Sequence, residues 1–201
     1  MTKKLILQRT RYFFSVEGEG EQSVIKWMQE LSDQNGLYVH LDCEVLKGGG
    51  YKTMLEGAIR CRKRKERQKA KSSVLLVDGD RAERDDGWSI SRLRQEASKH
   101  KFTVCVQHPN LEGLLLRLMP GKESLQPDRA NVQVLLKSAW SSYRKPADAR
   151  TLAGKFTLTD LLRVAKISYP PLTRRPAACP RDRAPVKAQN QNGASPFQSQ
   201  P

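Results

Sequence analysis

Three acidic residues have the spacing of a chemical site. Asp78 and Asp80 flank a single glycine at the end of the apolar run Ser73 to Val77, and Glu17 precedes a glycine after the aromatic and β-branched stretch Arg11 to Val16. Side chains alternate along an extended backbone, so Asp78 and Asp80 face the same way. Two such carboxylates repel unless a cation or a proton lies between them, and their hard oxygens favour Mg²⁺, Mn²⁺ or Ca²⁺ over Zn²⁺. Gly79 would leave room for a metal, its waters or a phosphate to approach the backbone. The plainer alternative is a strand-end turn in which each aspartate accepts backbone hydrogen bonds, and D-G-D alone supports both readings equally.

The surrounding pattern predicts the elements that must position these groups. Arg11 to Val16 reads as a first strand, followed by the acidic glycine loop 17–22 and a helix starting near Ser23 with Val24, Trp27, Met28 and Leu31 on one stripe. Leu37 to Leu46 alternates as a half-exposed strand suited to a sheet edge. The loop Lys47-Gly48-Gly49-Gly50 leads into a helix from about Lys52, whose buried side is Met54, Leu55, Ala58 and Ile59. Its glycines expose backbone N–H groups that suit an anion, but no G-K-[ST] follows, which disfavours a nucleoside triphosphate loop. The D-G-D strand comes next, then a polar loop 81–87, a helix 88–99, a strand 102–106 and an apolar helix 113–119. Strand and helix alternate four times, which predicts an α/β fold with a mostly parallel four-stranded sheet flanked by helices. Ligands of such sheets bind beyond the carboxyl ends of the strands, where Glu17, Asp78, Asp80 and His108 all fall. Asp128 can cap a further helix carrying Val132, Leu135, Leu136, Ala139, Trp140 and Tyr143, and 159–166 reads as another short helix. The expected organisation is an α/β domain over 1–122, a small C-terminal helical appendage over 123–168 and a disordered, proline-rich tail over 169–201.

Composition narrows the class. With 38% hydrophobic and 28% charged residues and no long apolar run, the chain reads as soluble, and its start, MTKKLILQR, is interrupted by charge before it could serve as a signal segment. The expected location is cytoplasmic, with no membrane partner. Cys43, Cys61, Cys105 and Cys179 form no C-x-x-C pair and read as reduced structural thiols. The net charge of +15 implies an anionic partner, of which nucleic acid is the commonest. The charge is concentrated: between Arg60 and Lys71, eight of twelve residues are Lys or Arg. Such a run is often a solvated face, yet its position just before the carboxylate strand favours a phosphate-facing role.

The motif order resembles the TOPRIM domain shared by topoisomerases, primases, OLD-type nucleases and small prokaryotic nucleases, with Glu17 as the first glutamate and Asp78 and Asp80 as the aspartate pair. Together, E-G-E-G-E-Q at 17–22, the glycine loop before the basic helix, L-V-D-G-D-R at 76–81 and H-P-N-L-E-G-L-L-L at 108–116 are similar to RloB-like (AbiLii-type) proteins of bacterial antiphage and restriction systems. The likeness spans roughly residues 10 to 165 by motif order. It departs where the family has asparagine and this chain has His108, where the family's aromatic is Leu111, and at the threonine of the first motif. The resemblance implies a Mg²⁺-dependent (or Mn²⁺-dependent) nuclease acting on DNA or RNA, in phage defence or abortive infection.

On that reading Glu17, Asp78 and Asp80 are the catalytic and metal-binding carboxylates, Glu17 as ligand or general base, with Glu21 and Glu112 as secondary ligands. Glu21 reads equally as a helix cap, and Glu112, in an apolar segment, must be paired or turned to the site. Lys47, Lys52, Arg60, Lys63, Arg64 and Arg81 are candidates for backbone phosphate contacts, as is His108, for which a structural role before proline is the plainer reading. The competing readings are a non-catalytic nucleic-acid-binding or recombination-accessory protein, and an effector active only with an ATPase or restriction-system partner. A homodimer is compatible with either.

Overall fold

The structure, a computed structural model, describes residues 8–79 and 87–168. Asp80, Arg81, Asp85, Asp86 and the expected tail lie outside the described residues.

The chain alternates β1 (Thr10–Val16), α1 (Glu19–Gln34), β2 (Val39–Val45), α2 (Tyr51–Arg62), β3 (Ser72–Asp78), α3 (Ile90–Lys99), β4 (Phe102–Gln107) and α4 (Leu111–Arg117). The helical C-terminal region follows, with α5 (Val132–Ala139), α6 (Ala149–Lys155) and α7 (Leu158–Ser168). All four strands are parallel in the order β2-β1-β3-β4. The anticipated α/β class and the edge position of β2 are therefore observed. The β2 edge is not left bare: the Gln29 side chain accepts from Leu41 N at 2.7 Å and donates to Val39 O at 3.4 Å, pairing strand groups that would otherwise be open to another chain.

Helix boundaries differ from the sequence expectation where caps differ. α1 begins at Glu19, not near Ser23, because Gly18 is extended and its N–H donates to the Glu21 carboxylate at 3.1 Å. Ser23, already inside the helix, donates to Glu19 O. Asn110 caps α4, its Oδ1 accepting from Gly113 N, so that helix starts before Gly113. α5 stops at Ala139, so Trp140 and Tyr143, though buried, lie beyond its stripe, while Leu135 on the helix is 40% exposed. α6 was not anticipated. Asp148 starts it, its carboxylate accepting from Thr151 N at 2.7 Å.

Two apolar clusters hold the structure. Phe13, Leu75, Val77 and Phe102 pack with Tyr51, Met54, Leu55 and Ala58 of α2 and Leu93 and Ala97 of α3. β3 thus alternates, with Ser73, Leu75 and Val77 buried and Val74, Leu76 and Asp78 half-buried. A separate cluster joins Val24, Trp27 and Leu31 of α1 to α4 and to the C-terminal helices. Its centre is aromatic: Phe156 stands 6.1 Å from Trp27 and 5.6 Å from Trp140, edge-on to the latter. Arg163 of α7 adds a polar tie, donating to Leu118 O at 2.8 Å and pairing with Glu123 and Asp160.

Truncating Phe156, 2% exposed at that junction, is expected to cost about 3–5 kcal/mol in denaturant unfolding. Hydrogen exchange should rise first in 132–168, with the β3 amides protected longest. Uniform loosening of the sheet would contradict this hierarchy.

Candidate active site

The strand order reverses between β1 and β3: from β1 the chain passes to β2 on one side, then crosses back to β3 on the other. Right-handed crossovers in opposite directions place α1 and α2 on opposite faces, which opens a crevice at the carboxyl ends of β1 and β3. Glu17 follows the last residue of β1, and Asp78 is the last of β3. The register that sets Ser15 beside Leu75, carried on two residues, brings Glu17 level with Val77 and one residue from Asp78. Both line a cleft of about 530 Å³, together with Glu21, Asn110, Arg129 and Lys145 among others. The N-terminal ends of α1 and α2 lie at this same end of the sheet, and the Tyr51 hydroxyl in the first turn of α2 donates to Asp78 O at 2.9 Å.

The other expected site residues divide. Glu21 borders the cleft, but one carboxylate oxygen is committed to the Gly18 N–H, so the capping reading is the one observed. Glu112 is fully buried, and its Oε1 accepts from Lys145 Nζ at 2.7 Å and from the Tyr143 hydroxyl at 3.4 Å. It is an ion-paired carboxylate, the first of the two readings its apolar segment allowed. Its Oε2 is buried with no hydrogen-bond partner. His108 is exposed at the end of β4, its Nδ1 standing 2.8 Å from where a Cβ on Gly79 would lie and Gln107 O 2.9 Å from it. The absent side chain at Gly79 therefore makes room for β4 and the histidine ring.

Lys47 lies beyond β2 in a left-handed turn, with φ values of 60°, 81° and 107° at Lys47, Gly48 and Gly49, and Gly48 N donates to Glu17 O at 3.2 Å. It lines a neighbouring hollow with Glu17 and Glu19. Lys52 is in the first turn of α2 and exposed. Arg60, Lys63 and Arg64 are at the other end of that helix, which at twelve residues is about 18 Å long. The fold does not bring them to the carboxylates; Arg64 instead approaches Glu44 of β2 at 3.5 Å.

Lys145 is the residue that sequence reasoning missed. It lies between α5 and α6, and no spacing marks it: only the docking of the helical region against α4 carries it to the cleft. Burial pulls its ammonium down, but the hydrogen bond and charge of Glu112, then the charges of Asp78 and Glu21, outweigh this and hold it above the ordinary lysine value. A lysine cation thus stands where the acidic cluster needs positive charge. Burial and the Glu112 charge also push the Tyr143 hydroxyl well above the usual tyrosine range.

Oxygen donors suit a hard divalent cation, and Glu17 and Asp78 offer two carboxylates on one cleft. Among the described residues no group of three or more His, Cys, Asp or Glu side chains stands close enough to hold a metal ion. Models of known protein families, curated proteins and solved structures were compared with the chain, and none matches.

Lys145→Ala leaves the buried Glu112 carboxylate without its cation. The expected loss is about 2 kcal/mol, below that of a fully enclosed pair because the Lys145 side chain is 60% exposed. A double-mutant cycle with Glu112→Gln should give a coupling of about 1–2 kcal/mol. Since the Lys145 value is raised on folding, the coupling should hold up to the ordinary lysine value and fade as pH rises through the folded one. Additive single-mutant losses at neutral pH would refute the pairing.

Proposed function

We propose that the chain is a metal-dependent, TOPRIM-like nuclease cleaving phosphodiester bonds of DNA or RNA, in the manner of the RloB-like proteins its motifs resemble. The observation that carries the reading is the arrival of Glu17 and Asp78 at the crevice between β1 and β3, where open parallel sheets bind their ligands.

Glu17 and Asp78, completed by Asp80, would hold the Mg²⁺ or Mn²⁺ ion, which when bound neutralises phosphate charge and lowers the pKa of a water. The remaining steps fall to the chain. Glu17, as ligand or base, orients the attacking water. Lys145, steadied by Glu112 and Tyr143, presents its ammonium to the phosphate oxygens. Asn110 and Arg129, which line the same cleft, position the strand. The positive ends of α1 and α2 favour an anion at this end of the sheet.

A second reading, a nucleic-acid-binding protein without catalysis, is favoured by one observation: the net charge of +15 calls for an anionic partner and not for chemistry on it. The two readings part in a cleavage assay on plasmid DNA and total RNA with Mg²⁺ or Mn²⁺. Wild type should cleave, EDTA should abolish cleavage, and Glu17→Ala and Asp78→Ala should each lower the rate by about 100-fold or more, equivalent to about 3 kcal/mol of transition-state stabilisation. Binding without cleavage in either metal would establish the second reading.

A further inference from the structure

The basic run, which the fold keeps away from the cleft, has a structure of its own. After α2 the segment 63–71 forms a ridge containing a 3₁₀ turn at Arg67–Lys69 and ending where Lys71 N donates to Arg11 O at 2.8 Å, at the start of the sheet. Two arginines of the basic run, Arg67 on the ridge and Arg62 at the end of α2, are anchors. Arg67, with 10% of its side chain exposed, pairs with Asp42 and Glu44 at 2.7 Å each and lies 4.8 Å over the Phe13 ring. Arg62 donates to His100 O at 2.6 Å and lies 5.5 Å over Phe102.

The anchoring consumes the nearby carboxylates. Asp42 and Glu44 are taken by Arg67, and Asp33 pairs with Arg9 at 2.9 Å. Lys63, Lys65, Lys69 and Lys71 are left exposed along the ridge, with Glu66 as its one acid. A hollow flanks each side, one lined by Arg9, Arg11, His40 and Lys69, the other by Arg62, Lys63 and His100 among others. Crowding like charges on a turn opposes folding, so a surface of this kind is best accounted for by a polyanion that neutralises it. A membrane surface is the poorer match, because these lysines project from a turn with no apolar helix face to insert.

We propose that this ridge and its two hollows are a nucleic-acid docking surface, separate from the acidic cleft and at the amino-terminal end of the sheet. It would grip the phosphate backbone without regard to sequence and hold a long substrate at a second point. The proposal rests on the nuclease reading only for the identity of the polyanion.

The test is fluorescence anisotropy of the full chain with a short labelled duplex in EDTA, so that no cleavage is required. The probe is titrated between roughly 50 and 200 mM salt, where each neutralised phosphate adds roughly 0.9 to the log–log slope. Replacing Lys63, Lys65, Lys69 and Lys71 together by alanine should weaken binding at least tenfold and lower the slope by roughly 3. The same four changed to arginine should keep both, because charge is retained. An alanine variant that melts like wild type and binds within twofold of it would overturn the proposal. So would an arginine variant as weak as the alanine one, or wild type that binds phosphatidylserine vesicles and not the duplex. Hydrolysis of bis(p-nitrophenyl) phosphate, too small to span both ends, reports on the cleft alone, so failure there leaves the docking result intact.

Discussion

The constraint behind this architecture is the handedness of parallel crossovers. A chain that starts in the middle of a sheet, adds β2 on one side and then β3 on the other must send α1 and α2 to opposite faces. The residues at the carboxyl ends of β1 and β3 then meet in a shared recess. Glu17 and Asp78 stand 61 positions apart in sequence, yet their meeting requires no special contact between them. The order of the strands and the β1–β3 register suffice.

The helical region makes the recess a walled cleft. Its attachment is hydrophobic, through Trp27, Phe156 and Trp140, and it positions the α5–α6 connection against α4. That connection delivers Tyr143 and Lys145 to Glu112. A buried carboxylate in an apolar helix is costly unless paired, so α4 and the appended helices are coupled by charge as well as by packing. The coupling has a chemical consequence, because the cation that satisfies Glu112 also lies within electrostatic reach of Asp78 and Glu21. The group that locks the helical region in place therefore borders the acidic cleft.

How much of this was legible depended on range. Strand and helix existence followed from periodicity, because the pattern of Val24, Trp27 and Leu31, or of Met54, Leu55 and Ala58, is local and each stripe meets a core. Boundaries failed where a cap was unusual: an extended glycine closed by Glu21 starts α1 as firmly as a serine would have. Glu112 could be read as paired, because an ionised group in an apolar segment demands a partner, but its partner could not be named. Lys145 lies 33 residues further on in a loop without periodicity, and only tertiary docking relates the two. Gly79 was read correctly as a place of close approach, but the approaching group was the neighbouring strand and His108.

The distribution of charge follows the same geometry. Helices that follow parallel strands begin at the carboxyl end of the sheet and return to its amino end, so α2 starts beside Asp78 and releases its basic run at the opposite edge. Adjacency in sequence, which made the basic run look like part of the carboxylate site, becomes separation by a helix length once the crossover forms. A chain of net charge +15 thus keeps an acidic recess apart from its densest cations. Lys145 and Arg129 are the cations among the described residues that line the cleft, and Glu112 binds Lys145 from beneath. The buried carboxylate therefore acts as a tether: it brings one positive charge to the acidic recess while restraining how far that charge can move into it.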